Sequence, residues 1–167
     1  MRYRRARVAG GTYFFTVTLA DRSQDLLTRH IDALRAAFRA VHQRHPFRIP
    51  AIVVLPEHLH CIWQLPQGDC AYPPRWALIK SGFSRALDDC EPVSLSRHLK
   101  RERGIWQRRY WEHCIRDADD LQRHIDYIHF NPVKHGHARC PAEWPFSSIH
   151  RHIAQGLLPV DWAGGGT

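Results

Sequence analysis

Two strand-prone runs separated by a proline turn constrain the fold of this chain more than any other feature. Residues 47–55 contain Ile52-Val53-Val54, residues 58–65 contain Ile62-Trp63, and only Pro56 and Glu57 separate the two runs. Because so short a connection reverses the chain, the two runs are predicted to form an antiparallel hairpin. The molecule is therefore expected to contain an antiparallel sheet.

The second run begins with His58, Leu59 and His60. Side chains alternate along a strand, so both histidines should point to one side and Leu59 to the other, toward a core. Two neighbouring imidazoles on a rigid strand make half of a metal site, because neutral imidazole is a common metal ligand. The chain has 13 histidines, so the pair alone does not establish a site.

The remaining periodicity predicts the element order βαββαβα, typical of an α+β, ferredoxin-like or RRM-like sandwich. Such a fold has a central antiparallel sheet with helices mainly on one face, and it places the histidine pair on an inner strand. The additional predicted elements are a strand over 12–19, a helix over 28–44 capped by Thr28, a helix over 75–87, a strand over 104–116, and a helix over 117–130 that Asn131-Pro132 should end or kink.

Length and composition favour a single domain spanning residues 1–163, followed by a disordered tail over 164–167. The hydrophobic content of 44% is that of a globular protein. No apolar run approaches the ~20 residues of a membrane span. No apolar signal-peptide core follows the basic N-terminus. We expect a soluble cytoplasmic protein associated with the bacterial nucleoid.

The charge balance favours a polyanionic partner. Twenty-four Lys and Arg stand against sixteen Asp and Glu, a formal net charge of +8. Most of the cations are arginines, whose guanidinium groups contact phosphate in a forked, bidentate geometry. Clustered arginines in a basic chain indicate nucleic acid.

The five cysteines form neither a disulfide framework nor a zinc knuckle, because their number is odd and no C-x-x-C occurs. Cys61 and Cys114 lie in apolar strand contexts and are predicted to be buried small hydrophobes. No cysteine is assigned a catalytic role.

The predicted helix over 117–130 has two distinct faces. Its core stripe is Leu121, Ile125 and Ile128, whereas His124, Tyr127 and Asn131 follow helical spacing on another side. A tyrosine near two metal-binding histidines is a candidate nucleophile for phosphoryl transfer. The alternative is that Tyr127 packs at the boundary between helix and sheet, as amphipathic tyrosines commonly do.

Separated motifs in this order resemble the REP-associated tyrosine transposases, a subgroup of the HUH single-tyrosine (IS200-like) superfamily. Residues 58–60 match the His-hydrophobe-His signature of this superfamily, and residues 126–136, which contain Tyr127, match its nucleophile helix. The resemblance covers about residues 3–162 and rests on Gly11-Thr12-Tyr13-Phe14-Phe15-Thr16, Leu55-Pro56-Glu57-His58-Leu59-His60, residues 104–113, residues 126–136 and Trp144-Pro145-Phe146-Ser147-Ser148.

The resemblance implies cleavage and joining of single-stranded DNA. His58 and His60 would hold Mg²⁺ or Mn²⁺ on the scissile phosphate, and Tyr127 would form a 5′-phosphotyrosine link. A third ligand lies four residues after the tyrosine in these enzymes, which is Asn131 here. His124 is a candidate either for assisting proton transfer from Tyr127 or for capping polar contacts. Glu57 could support a ligating histidine, but a solvated turn residue is the favoured interpretation. His113, His135 and His137 are predicted to be surface or DNA-facing.

The family's substrates are repetitive palindromes that fold as hairpins, so single-stranded and hairpin DNA is the expected partner. Trp106, Tyr110 and Trp111 are either base-stacking platforms or core residues. Candidate phosphate contacts come from the basic arm, a basic loop and one further pair: Arg2, Arg4, Arg5, Arg7, Arg97, Lys100, Arg101, Arg103, Arg108 and Arg109.

Two other functions remain open at this point. One is a non-catalytic RRM-like protein that binds structured DNA or RNA. The other is a structural zinc protein whose ligands are the histidine pair and a cysteine such as Cys61 or Cys114. Strand alternation argues against it, because Cys61 should face away from His58 and His60. The resemblance to the REP-associated subgroup implies a monomer that uses its own tyrosine. Insertion-sequence relatives often exchange the tyrosine helix between the subunits of a dimer.

Overall fold

The computed structural model describes residues 5–88 and 104–164. Residues 165–167 of the predicted tail lie outside the described residues, and so do several candidate DNA contacts. The predictions for these residues therefore remain predictions. The contacts concerned are Arg2, Arg4, Arg97, Lys100, Arg101 and Arg103.

The described chain forms four strands and five α-helices. None of these helices has the length and apolar character needed to cross a membrane. In chain order the elements are β1 Thr12–Thr18, α1 Leu26–Arg29, α2 Ile31–Arg44, β2 Arg48–Val54, β3 His58–Gln64, α3 Tyr72–Asp88, β4 Trp111–Cys114, α4 Ala118–Lys134 and α5 Ile149–Ala154, with a 3₁₀ turn at Pro141–Glu143 before α5.

The four strands form one antiparallel sheet in the order β2-β3-β1-β4. β2 and β3 pair as the predicted hairpin, and β3 is an inner strand flanked by β1. The register places Thr16 opposite His60 and Thr18 opposite His58. The histidine pair therefore lies in the middle of the sheet, as the sequence predicts.

One face of the sheet carries the main core, covered by α2 and α3. Alternation directs Leu59, Cys61 and Trp63 of β3 into this core, where Trp63 stacks on Trp76 of α3. Cys61 thus faces away from the histidine pair, which removes it as a partner of His58 and His60 in a zinc site. Burial of this aromatic and aliphatic surface is the main stabilising contribution to the fold.

α4 packs on the opposite face, over β2 and β3. Its Ile128 is fully buried against Phe14 and Ile62, with Leu121 and Ile125 partly buried beside it. The predicted core stripe is thereby confirmed, and so is the α+β fold with helices mainly on one face. α4 is the exception, and it is the element that carries the tyrosine to the histidine side of the sheet.

Two predicted boundaries are wrong. Thr28 does not cap α2, because it lies inside the short helix α1, and its hydroxyl bonds the carbonyl of Asp25 instead. β4 begins only at Trp111, since Trp106 turns into the core, where its indole nitrogen donates to the carbonyl of Lys80. Before Trp111, the predicted strand is represented by an isolated antiparallel bridge between Trp106 and Leu19.

α4 continues through Pro132, contrary to the predicted end or kink at Asn131-Pro132. The side chain of Asp117 caps the start of the helix by accepting from the backbone N–H of Asp120. Pro132 removes one donor from the helix, but the next turn closes normally, with His135 N–H donating to the Asn131 carbonyl. Asn131 is therefore helical and fully buried.

The segment after the 3₁₀ turn extends the sheet at its β2 edge. The backbone N–H of Val54 donates to Phe146, and that of Ser148 donates to Ile52. The indole nitrogen of Trp144 donates to the Val54 carbonyl, 90 residues away in sequence. These bonds occupy an edge that would otherwise present unpaired backbone groups.

Candidate active site

The two histidines of β3 are held by hydrogen bonds at their Nδ1 atoms. His60 Nδ1 lies 2.8 Å from Thr16 Oγ1 on the neighbouring strand, and His58 Nδ1 lies 2.9 Å from Glu57 Oε1. A carboxylate only accepts, so His58 donates from Nδ1 and its Nε2 keeps a free lone pair. This arrangement is typical of metal-binding histidines, whose other nitrogen is fixed by a neighbour.

Both imidazoles are buried and held neutral. Burial is the main cause that lowers the pKa of His60 to about 3, and the neighbouring titratable groups His58, His135 and Lys134 act in the same direction, because a proton on His60 would be repelled by a proton on any of them. Burial also lowers the pKa of His58, although Glu57 opposes the shift. Nε2 of His60 is buried without a hydrogen-bond partner among the described residues. A neutral, buried imidazole with an unused lone pair is suited to binding a cation.

Glu57 differs from its prediction as a solvated turn residue. Its carboxylate accepts from His58 and lies 3.6 Å from the Arg22 guanidinium. Burial raises the pKa of Glu57, but His58 and Arg22 outweigh that effect and the net pKa is lowered. The carboxylate therefore stays ionised and fixes the orientation of His58.

Tyr127 of α4 lies beside His60, with their ring centres 5.2 Å apart. Phe14 of β1 contacts three of the predicted site residues, since its ring centre is 5.5 Å from that of His60, 4.8 Å from His124 and 6.0 Å from Tyr127. Tyr127 remains 37% exposed, so its hydroxyl-bearing ring is accessible from solvent. The fold thus brings the predicted nucleophile and the histidine pair together within one chain.

Asn131 lies one turn after Tyr127 and next to His58. Both polar atoms of its amide are buried without a hydrogen-bond partner in the described part of the chain. An orphaned buried amide costs about 1–3 kcal/mol per polar group. The Asn131 side chain is close enough to His58 to raise the pKa of that imidazole, and His58 in turn adjoins His60, whose Nε2 has no hydrogen-bond partner among the described residues.

His124 belongs to a separate polar network on α4. Its Nδ1 lies 2.7 Å from the backbone carbonyl oxygen of Asp120, an atom that can only accept, so Nδ1 carries a proton and donates. The Asp120 carboxylate also accepts from His113 and from the backbone N–H of Arg116. His113, Asp120 and His124 form a group of potential metal ligands within 4.8 Å. Because guanidinium groups of Arg116 and Arg123 already neutralise Asp120, the β3 histidines are the better cation site.

An open cleft of about 580 Å³ lies beside His60, His124 and Tyr127. Trp111 stands at its side with 58% of its surface exposed, and Arg123 supplies a cationic side chain. A cleft with an exposed indole and a guanidinium group can hold an unpaired base and a phosphate. The lining residues are Phe14, Thr16, His60, Trp111, Arg123, His124 and Tyr127.

Comparison with known proteins decides the family. An Escherichia coli REP-associated tyrosine transposase is 49% identical over 162 residues, covering 97% of this chain and 90% of the relative. A Haemophilus influenzae relative with the same family description is 45% identical over 163 residues, covering 97% and 93%. The chain belongs to the REP-associated tyrosine transposases. These are enzymes that act on DNA. A comparison with models of protein families found no match.

Solved structures agree with this membership in the REP-associated tyrosine transposase family. A REP-associated tyrosine transposase bound to a REP hairpin superposes with a TM-score of 0.85 at 47% identity, covering 100% of this chain and 93% of that one. A Deinococcus radiodurans crystal structure at 17% identity shares the fold alone, with a TM-score of 0.50, covering 83% of this chain and 99% of that one.

Membership among these transposases implies a divalent metal ion, and the residues present fit one. The unpaired buried Nε2 of His60 and the unpaired amide of Asn131 are donors to a cation without another described partner. The Nδ1 contacts of both histidines leave their Nε2 atoms free of these protein partners.

The predicted DNA contacts are only partly described. Arg108 and Arg109 are exposed just before β4, Arg7 is exposed, and Arg5 lies over the Tyr110 ring and donates to its hydroxyl. Trp106 is buried in the core and Tyr110 packs against it, so Trp111 is the one of the three candidate platforms that remains exposed.

Sequence patterns missed three neighbours of the predicted site and favoured the wrong interpretation of a fourth, Glu57. Thr16 could have been found from the β1–β3 register, which requires the pairing to be known first. Glu57 and Lys134 adjoin motif residues, and Lys134 places its ammonium 4.8 Å from the Tyr127 ring centre. His135, predicted to be surface or DNA-facing, lies with its ring centre 5.2 Å from that of His58.

Proposed function

We propose that this chain cleaves and rejoins single-stranded DNA at hairpins of repetitive extragenic palindromes. Tyr127 is the nucleophile, and His58 and His60 hold Mg²⁺ or Mn²⁺. The observation that carries the proposal is the 5.2 Å contact between the rings of Tyr127 and His60, on histidines whose Nδ1 atoms are already occupied. The relative with a TM-score of 0.85 is bound to a REP hairpin, which supports the choice of substrate.

The chemistry is an exchange of phosphodiester bonds. The Tyr127 oxygen attacks the scissile phosphorus, the bond from phosphorus to the 3′ oxygen breaks, and a 5′-phosphotyrosine forms. The departing 3′ oxygen takes a proton and becomes a 3′-hydroxyl. Attack by another 3′-hydroxyl reverses the step and releases the tyrosine, so strand transfer needs no added energy source.

His124 is proposed to receive the Tyr127 proton. Its Nδ1 is bonded to the Asp120 carbonyl, which leaves Nε2 as the acceptor. His124 precedes Tyr127 by three residues on α4, so both side chains lie on one side of the helix. Phe14 contacts both rings, with ring centres 4.8 Å from His124 and 6.0 Å from Tyr127.

A bound ion would polarise the scissile phosphate and offset its charge. Two imidazoles and an amide oxygen from Asn131 form a modest site for Mg²⁺, which prefers oxygen ligands, and a better one for Mn²⁺. Helical geometry at Asn131 supports its role, since the residue points into the site rather than leaving the helix at Pro132.

Basic residues are proposed to hold the hairpin through its phosphates. Arg5, Arg7, Arg108 and Arg109 are the described candidates, and the arm and loop candidates outside the described residues extend the set. Such contacts give affinity that falls with salt, independently of the chemical step. Trp111 is the candidate platform for an unpaired base.

The test is a covalent adduct. Protein is mixed with end-labelled single-stranded REP hairpin DNA and Mn²⁺, then run on a denaturing gel. Wild type should form a labelled adduct and Tyr127→Phe should not. Tyr72→Phe is the matched control, because Tyr72 is buried on the other face of the sheet and should retain the adduct.

His58→Ala separates chemistry from binding. It should remove the adduct while leaving most hairpin affinity, because affinity rests on phosphate contacts elsewhere. Equal loss of adduct and affinity would contradict this division. Tight binding by wild type without any adduct, across a panel of repeat sequences, would instead favour an RRM-like protein that binds structured nucleic acid.

A further inference from the structure

Lys134 is the last residue of α4 and follows Tyr127 by seven residues. Seven residues make almost two helical turns, so the two side chains lie on the same side of the helix. Side chains of a helix lean toward its N-terminus, and the Lys134 ammonium lies 4.8 Å from the centre of the Tyr127 ring. The helical turn that continues through Pro132 therefore places a cation on the ring face of the proposed nucleophile.

The Lys134 ammonium has no carboxylate partner in the described part of the chain. It is exposed, and no salt bridge or hydrogen bond joins it to another described side chain. Arg139, five residues further on, differs in this respect, because its guanidinium lies 3.2 Å from Glu143 Oε1. The structural alternative for Lys134 is a favourable interaction of its charge with the C-terminal end of the helix dipole.

A cation at this position interacts more strongly with a reacting tyrosine than with a resting one. The neutral ring attracts the ammonium through its quadrupole. Once the oxygen has lost its proton, the tyrosine carries a full negative charge that is partly delocalised into the ring, and Coulomb attraction is added. An interaction that is stronger in the charged state than in the ground state accelerates the chemical step.

We propose that Lys134 stabilises the negative charge on Tyr127 in both directions of the exchange. The inference rests on the proposed function, because it concerns the same nucleophile. In cleavage, the Tyr127 proton passes to His124, the oxygen attacks phosphorus, and the bond to the 3′ oxygen breaks. In rejoining, an incoming 3′-hydroxyl attacks phosphorus and gives up its proton. The bond from phosphorus to the tyrosine oxygen then breaks, and that oxygen leaves with the electron pair beside Lys134 before it takes a proton.

The test separates the rate of chemistry from DNA affinity. Adduct formation is timed in a single turnover with saturating REP hairpin DNA and Mn²⁺, and its reversal is timed after addition of an unlabelled strand with a 3′-hydroxyl. Lys134→Gln should slow both steps by about tenfold. Hairpin affinity, measured by anisotropy in the Tyr127→Phe background where no adduct forms, should change by less than about threefold, because one phosphate contact is a small part of the total. Lys134→Arg keeps the charge and should restore most of both rates.

Arg139→Gln is the matched control, since it removes the same unit of charge from an exposed side chain near the same helix end. It should form and reverse the adduct at wild-type rates. The inference is overturned if Lys134→Gln keeps both rates at saturating DNA and loses affinity alone, or if Lys134→Gln and Lys134→Arg are equally slow. A wild-type adduct whose rates do not depend on Lys134 would refute this inference and leave the proposed function standing, whereas absence of any wild-type adduct would refute both.

Discussion

At the scale of single residues, the site depends on which nitrogen of each histidine is occupied. Thr16 and Glu57 each bond an Nδ1 atom, and the Nε2 atoms stay available. The two partners act differently, because the Thr16 hydroxyl is neutral whereas the Glu57 carboxylate adds negative charge. A hydroxyl on the adjacent strand orients His60 without competing for a cation.

Thr16→Val should therefore weaken Mn²⁺ binding by about 10–100-fold, as loss of a second partner of a ligating histidine commonly does. The substitution keeps the shape and suits a strand, so the melting temperature should change little. Calorimetric titration and thermal unfolding measure the two effects. Thr12→Val, at the start of the same strand, is the control, and equal metal affinity in the two variants would contradict the role of Thr16.

The positions of His58, His60 and Tyr127 in the fold were largely predictable, but their surroundings were not. Strand alternation correctly oriented His58, and the helical spacing placed Tyr127 on the correct face. The helicity of Asn131 was missed, because local rules give Pro132 more weight than the packing that keeps α4 intact. The contact of His135 with His58 depends on that extra turn, so it could not be derived from spacing alone.

At the scale of elements, α4 has a second buried histidine on its other side. His129 is fully buried, with Nε2 2.8 Å from Ser148 Oγ, and its ring centre is 4.6 Å from that of His152 on α5. Burial and the positive charges of His152, Arg151 and His150 lower the pKa of His129 to about 3. This contact fixes α4 to the C-terminal segment.

The lowered pKa makes stability depend on pH in a defined direction. An unfolded histidine has a pKa of about 6.5, so between roughly pH 6.5 and 3 the unfolded chain binds the extra proton. Stability should fall as the pH drops below about 6.5, by up to about 1.4 kcal/mol per pH unit for this histidine. Chemical unfolding of metal-free protein between pH 7 and 5 measures the slope.

His129→Gln should be less stable at pH 7 but lose less stability on acidification, because the titrating group is gone. His42→Gln, at an exposed site on α2, is the control and should follow wild type. An unchanged pH slope in His129→Gln would show that other groups carry the dependence. His60, with a pKa of about 3, acts in the same direction in all of these proteins.

Elements with a clear period were predictable, and elements defined by long-range pairing were not. β1, β2 and β3 lie close to their predicted bounds, because side chains alternate between the two faces of the sheet, although β3 is buried on both faces. The shortness of β4 follows from Trp106 turning toward Lys80. The pairing of Phe146 with Val54 leaves no local signature, because a proline and serines surround it.

At the scale of the whole molecule, the histidine pair and Tyr127 belong to one chain. We propose on this basis that the protein acts as a monomer. If Tyr127 were supplied by a second subunit, a mixture of His58→Ala and Tyr127→Phe would contain mixed dimers with one intact site. The mixture should instead remain without adduct, as each variant does alone.

The measurement is the denaturing-gel assay on variants mixed before and after unfolding and refolding, so that subunit exchange is not limiting. Light scattering at the assay concentration gives the mass of wild type for comparison. Recovery of the adduct in the refolded mixture would show that the tyrosine helix is exchanged between subunits.

The bonds between residues 144–148 and β2 also have a consequence for how the molecule is made. Trp144 and Val54 are 90 residues apart, so the hairpin leaves the ribosome long before the segment that closes its outer edge. Contacts this distant in sequence slow folding, because a large loop must close before they form. During synthesis the β2 edge is open to pairing with other chains, and this interval is the period of greatest risk of aggregation.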